Sequence, residues 1–202
     1  MLFIGMDLSL SNCGLVVLDY NGKVQLLKSI KTEEIGQSVE KRFERCYNQI
    51  NQFKETLLKY DLNDSIIAIE SYALQAVGRI TSLVESGTLI RDFIYKNYDN
   101  CKILEVAPVS AKKFLLGSGK SDSGINKKAK IIMEIYKQFG LEIGDDNIAD
   151  AFVLSNIAQA YYNVINNNHN LKKYQLEVIT TIMKKDIPKK TRKTNGKKER
   201  ER

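Results

Sequence analysis

The chain has no tryptophan, one histidine, two prolines and three cysteines among its 202 residues. The single histidine, His169, sits in the polar run Asn166-Asn-Asn-His-Asn, and clustered asparagine is the composition of a surface loop. Histidine general-base schemes and zinc sites therefore have almost no material to work with. Cys13, Cys46 and Cys101 are odd in number, scattered and without metal-ligand spacing, which fits a reduced cytosolic interior better than a disulfide framework. No run approaches eighteen consecutive apolar residues, so no membrane span is expected. Met1 leads straight into a strand pattern, without the charged start and cleavage site of a signal peptide. Catalysis, if present, is left to carboxylates, lysines, tyrosines or a metal.

The length suits one domain with a sizeable core and would cramp a second. Hydrophobic content of 43% and charged content of 27% are ordinary for a globular protein. The net charge of +7 is unevenly placed. Residues 184–202 carry ten Lys or Arg against three acids, so the rest of the chain balances at 21 of each sign. This segment has too few apolar residues to pack a core and reads as a disordered basic tail. Such arms often touch phosphates; a solvated solubility tail is the plainer alternative.

Three strands are expected in the first thirty residues: Leu2 to Met6, Gly14 to Asp19, and an alternating run through Val24, Leu26 and Ile30. The last two flank Tyr20-Asn-Gly-Lys, and Asn-Gly between apolar runs is a strong hairpin signal. Val39, Phe43, Tyr47, Ile50, Phe53 and Leu57 recur at helical spacing. Ser65 to Glu70 reads as a buried strand. Gly78 to Tyr98 reads as a helix whose apolar face carries Gly87, which suggests close approach to a neighbour. Cys101 to Val106 is a fifth strand, ended before Pro108. Helices are then expected over Ser110 to Leu116, Lys127 to Phe139, and from Asp145 or Asp146 to about Ile165. A last amphipathic stripe runs from Leu171 to Met183. The order is that of a mixed five-stranded sheet flanked by helices, an α/β fold.

Four acids stand in apolar surroundings within this pattern. Asp7 ends the first strand, Glu70 ends the fourth, and Asp146 and Asp150 open an apolar helix. A carboxylate beside buried strands costs several kcal/mol without a partner. Gathered at one point, the four would make a hard-oxygen cage of the kind that holds magnesium. Asp146 and Asp150 are four apart and share a helix face, continued by Val153 and Ile157. Asn147, three before Asp150, can turn toward the same spot, whereas Asp145 is better placed to cap the helix. The alternative for the Asp146/Asp150 pair is ordinary negative charge at a helix N-terminus.

The segments Ile4-Gly-Met-Asp7-Leu-Ser, Ile67-Ala-Ile-Glu70 and Asp146-Asn-Ile-Ala-Asp150-Ala resemble the three acidic motifs of RuvC-like Holliday-junction resolvases. The resemblance covers about residues 1–165 and implies a ribonuclease-H-like nuclease domain there. Residues 166–183 would form a helical extension and 184–202 the basic tail. It further implies a crossover junction endodeoxyribonuclease that acts as a homodimer on four-way DNA junctions, in recombination, repair or branched-DNA processing. Magnesium, with manganese able to substitute, would be bound as two ions by Asp7, Glu70, Asp146 and Asp150. Lys112 and Lys127 match lysines that the family places after the fifth strand and at the next helix start, as phosphate contacts. Lys127 would also aid catalysis near the scissile group. The loop Gly117-Ser-Gly-Lys120-Ser-Asp-Ser-Gly, with Lys120, would lie near the junction. Tyr72, just beyond Glu70, is a candidate for stacking on a base; an ordinary packed tyrosine is the alternative. Bacterial members space the last two acids by three, a position held here by Asn147; the four-residue spacing resembles the mitochondrial and viral branches. The expected location is the cytoplasm, that of the host if the chain is phage- or virus-encoded.

Gly119-Lys120-Ser121 mimics part of a P-loop, but position 114 is Phe114 where a glycine is needed, so no nucleotide cofactor is expected. The opening Gly-Met-Asp and hairpin also resemble the start of sugar-kinase and chaperone ATPases, which need a second lobe that this chain is too short to form. A less selective debranching nuclease and a catalytically inactive DNA-binding module on the same fold remain the rival functions.

Overall fold

The computed structural model describes residues 1–36, 38–72, 80–118 and 127–185, with only the backbone at Ile80 and Lys127. Lys120, the side chain of Lys127 and residues 186–202 of the basic tail lie outside the described residues.

The elements run β1 (Leu2–Asp7), β2 (Asn12–Asp19), β3 (Val24–Lys31), α1 (Val39–Leu57), β4 (Ile66–Glu70), α2 (Ile80–Asn97), β5 (Lys102–Val106), α3 (Pro108–Leu116), α4 (Lys127–Phe139), α5 (Asp146–Ile165) and α6 (Lys173–Lys185). The strands form one sheet in the order β3-β2-β1-β4-β5. β1, β2 and β3 are antiparallel neighbours, while β4 and β5 run parallel to β1. The hairpin turn is held by Asp19, whose Oδ1 accepts from the backbone N–H groups of Asn21 and Lys23. Gly22, at φ 81°, takes the left-handed conformation that this turn requires.

Alternation along the strands divides the core in two. Phe3, Val16, Leu18, Ile66, Ala68, Leu104 and Val106 face α3, α4, α5 and α6. Ile4, Met6, Cys13, Leu15, Val17, Ile67 and Ile69 face α1 and α2. β1 is central, with all of its residues from Phe3 to Asp7 buried. Among the described residues no helix is long and apolar enough to cross a membrane.

The structure departs from the expected helices in two places, one face and one start. On α1 the buried stripe is Cys46, Gln49, Ile50, Phe53, Thr56 and Leu57. Val39, Phe43 and Tyr47 are exposed instead. Gln49 turns inward to bond the backbone of the loop after β1, and with Cys46 and Gln49 in the buried positions, Phe43 and Tyr47 fall on the helix flank. α3 starts at Pro108 rather than Ser110, because a proline at the first helical position has no N–H to lose.

α6 buries Val178, Ile179 and Ile182 in the same cluster as Phe114 and Leu115 of α3. Ile179→Ala is therefore expected to cost roughly 2–4 kcal/mol, as truncation of a buried aliphatic side chain does. An unchanged denaturation midpoint would show that α6 contributes nothing to the core.

Candidate active site

β1 and β4 pair in parallel with Phe3 opposite Ile66 and Met6 opposite Ile69. One more step in that register brings Asp7 beside Glu70. Strand period two puts both on the face of Phe3 and Ala68, toward α5. The acids thus stand at the carboxyl ends of two adjacent parallel strands, where sites on α/β sheets are commonly built.

The other two acids arrive because α5 lies unusually close to the sheet. A Cβ on Gly5 would sit 1.8 Å from the Ala151 carbonyl oxygen and 2.5 Å from the Ser155 nitrogen. A Cβ on Gly14 would sit 1.9 Å from the Asn147 carbonyl oxygen. Two bare glycines, on β1 and β2, form the seat of the helix backbone. Small residues on the helix side, Ala151 and Ser155, complete the approach. With its first turn held against β2, α5 directs Asp146 and Asp150 toward Asp7.

The helix start is fixed by Asp145, which has extended backbone geometry as N-cap. Its Oδ1 accepts from the backbone N–H of Asn147 at 2.9 Å and of Ile148 at 3.4 Å. The Asn147 side-chain amide donates to the same carboxylate at 3.1 Å. Asn12 at the start of β2 donates to Oδ2 at 3.3 Å, tying the helix end to the sheet. Burial raises the Asp145 carboxyl, but these donors outweigh it and hold the group below the usual carboxylate range. Asn147 is thus occupied with the cap.

The electrostatics of Asp7, Glu70 and Asp150 are opposite in kind. Asp7 is 9% exposed. Burial, then the charges of Glu70 and Asp150, then a hydrogen bond with Glu70 and the charge of Asp146, drive its carboxyl well above the usual range. Glu70 is raised by burial, against a hydrogen bond with Asp7 and the Lys112 ammonium. Asp150 is pushed up to about 6 by burial and by the Glu70 and Asp146 charges, with Lys112 and Lys128 opposing. Asp146 is ion-paired to Lys128. Among the described residues, no group of three or more such side chains is drawn together closely enough to hold an ion as it stands. The donor set nevertheless fits a hard cation. Asp7 and Glu70 act on one another and are both raised, and carboxylates held up by burial and mutual repulsion are stabilised when a divalent cation binds between them.

Of the other expected site residues, Lys112 lies on α3, near enough to act on both Glu70 and Asp150. Tyr72 is half-buried, against α2. Its hydroxyl accepts from Arg91 Nη1 at 2.5 Å, and the guanidinium stacks 4.9 Å from the ring centroid. That hydroxyl is what approaches Gly87, 2.3 Å from where a Cβ would be. The backbone of Lys127 opens α4. His169 is exposed.

Lys128 was not singled out from the sequence, although it is the described α4 lysine that meets an acid of the site. Its signal is helical phase, for it lies three and seven residues before buried Ile131 and Ile135, at the exposed head of that stripe. Arg91 and Gln49 were also missed. Nothing local distinguishes them from other polar residues on amphipathic helices.

No protein-family model and no curated protein sequence matches the chain. Solved structures do. A Thermus thermophilus RuvC structure superposes with a TM-score of 0.58 at 13% identity, covering 85% of this chain and 100% of that one. T. thermophilus RuvC in complex with Holliday junction substrate gives 0.57 at 11% identity, covering 85% and 99%. The Fowlpox virus resolvase in complex with substrate Holliday junction DNA gives 0.46 at 13% identity, covering 79% and 97%. The mixed sheet, its strand order and the RuvC superpositions together show that this chain has the ribonuclease-H-like fold of RuvC.

Proposed function

We propose that this chain is a metal-dependent, structure-selective endonuclease that cuts branched DNA, four-way junctions above all. The observation that carries the reading is the convergence of Asp7, Glu70 and Asp150 from β1, β4 and α5, all three with raised carboxyls. A pure DNA binder has no use for buried anions beside a polyanion. The RuvC likeness supports the substrate class, since one of those structures is bound to a Holliday junction.

Asp7, Glu70, Asp146 and Asp150 would hold two magnesium ions, or manganese in their place. The metal would activate a water and stabilise the leaving oxygen of a phosphodiester. Lys112 flanks the acids, and Lys128 is placed to exchange Asp146 for a DNA phosphate. Lys127 and Lys120 would add further phosphate contacts, and Tyr72 would offer an aromatic face to an unstacked base. Cutting two opposed strands of a junction requires two sites related by a two-fold axis, so the working form would be a homodimer.

Cleavage of synthetic four-way junctions with magnesium and with chelator tests the reading. Paired cuts only with metal are expected, and metal-independent cutting would overturn it. Equal cutting of flaps and linear duplex would indicate a less selective debranching nuclease. Binding without cutting would indicate an inactive module. Removal of residues 184–202 should weaken junction binding and flatten its salt dependence while leaving metal-dependent cutting intact, because this segment supplies the excess positive charge. An unchanged salt slope would remove the tail from the interface.

A further inference from the structure

Gln49 is the fully buried amide of α1, on the sheet face away from α5, and its neighbours Cys46, Ile50 and Phe53 are apolar core residues. Its bonds lead to the loop that follows Asp7. Nε2 donates to the carbonyl oxygens of Ser9 at 2.7 Å and Leu10 at 3.3 Å, and reaches the Cys13 Sγ at 3.2 Å. On its other side Oε1 accepts from Ser86 of α2. The Ser9 carbonyl also accepts from the Cys13 thiol at 2.8 Å, and the Leu10 carbonyl from the Thr32 hydroxyl. The Ser9 hydroxyl closes the turn onto the Asn12 carbonyl at 2.7 Å. The four residues between β1 and β2 are therefore held from both sides, with one side chain spanning two successive carbonyls.

An amide in this position is not required for packing. An aliphatic side chain of similar volume would fill the space without the desolvation cost of a buried polar group. What the amide adds is a single defined geometry, because a buried network fixes position only when all its members are bonded. Gln49 is completely shielded, so any effect on the site must pass through the loop. Resting on the nuclease reading of the acids, we infer that Gln49, braced by Ser86, is a positioning residue for Asp7: it holds the Ser9–Leu10 backbone so that the Asp7 carboxylate is presented to a divalent cation.

Supporting partners of metal ligands typically change metal affinity by about 10–100-fold when removed. The test is manganese binding by the full chain, followed by electron paramagnetic resonance, alongside thermal melting. Gln49→Leu keeps the volume and removes the bonds, and is expected to weaken manganese binding roughly tenfold or more. Ile50→Val, on the same helix face, lowers the melting point but leaves manganese affinity unchanged. Ser86→Ala frees Oε1 while sparing the loop bonds, and should give a smaller loss than Gln49→Leu. Equal manganese affinity in Gln49→Leu and Ile50→Val overturns the inference and leaves the nuclease reading standing. Failure of the unaltered chain to take up manganese overturns both. If Gln49→Leu does not fold, Ser86→Ala against Ile50→Val decides, with a loss in support and parity against.

Discussion

Asp7→Asn is expected to abolish cutting of four-way junctions while making the metal-free protein more stable at pH 8. Removal of a group that stabilises charge in the reaction commonly costs roughly 10²–10³ in rate, and Asp7 lies at the centre of the acids, feeling the charges of Glu70, Asp150 and Asp146. The stability gain follows from the same burial. In the unfolded chain an aspartate titrates near 3.9, about the ordinary value. In the folded chain burial and its acidic neighbours raise Asp7 far above that. Between the two values the folded state holds a proton that the unfolded state has lost, so stability falls as pH rises through this window. Asp150 acts in the same direction and titrates at about 6, a shift worth on the order of 3 kcal/mol once both states are ionised.

Asparagine carries no charge at any pH in this range, so the variant escapes its share of that loss. In chelator, Asp7→Asn should melt several degrees above the unaltered chain at pH 8, and the gap should close near pH 4. Magnesium or manganese should raise the melting point of the unaltered chain at pH 8, since a cation that binds only the folded state stabilises it by mass action. The variant should respond far less. A variant that cuts normally, or that melts lower than the parent in chelator at pH 8, would contradict the site as described.

The second large effect is steric. Gly5→Ala places a Cβ 1.8 Å from a backbone oxygen of α5 and 2.5 Å from a backbone nitrogen. Neither atom is the end of a flexible side chain, so the whole helix must lift from the sheet. A loss above about 4 kcal/mol is expected, in the range reserved for a few named mechanisms including core overpacking. Gly14→Ala should behave alike, with the Asn147 carbonyl at 1.9 Å. Gly144→Ala is the control, because nothing lies within 4 Å of its added Cβ; its effect should stay within about 0.5 kcal/mol. Denaturant midpoints separate the three. Any Gly5→Ala protein that remains folded should also fail to cut, since lifting α5 carries Asp146 and Asp150 away from Asp7. An unshifted midpoint for Gly5→Ala would mean that α5 does not rest on β1.

Much of the site was legible in the chain because its parts are local. A carboxylate at the end of an apolar run marks a strand terminus, as at Asp7 and Glu70. Two aspartates four apart mark one helix face, and Asp145 before them marks a cap. Asn21-Gly22 between apolar runs marks the hairpin. Each of these depends on a few neighbouring residues. The face of α1 was not legible, because Phe43 and Tyr47 have the right spacing for burial, and only the docked sheet shows that Cys46 and Gln49 take the inward positions. Lys128 and Arg91 were hidden likewise among other lysines and arginines until a partner stood beside them.

By itself, then, the sequence determined the order of the elements, the strand-end acids and the helix that carries the other two, since hydrophobic period and capping chemistry act over a turn or a few residues. Tertiary structure decided that β4 pairs with β1 and so brings Asp7 beside Glu70, that Gly5 and Gly14 are a seat for α5 rather than flexible points, and that Gln49 faces the Asp7 loop. Those outcomes join residues from about forty to more than a hundred and forty positions apart. They are selected by which surfaces bury one another, a property of the packed core that no short segment carries.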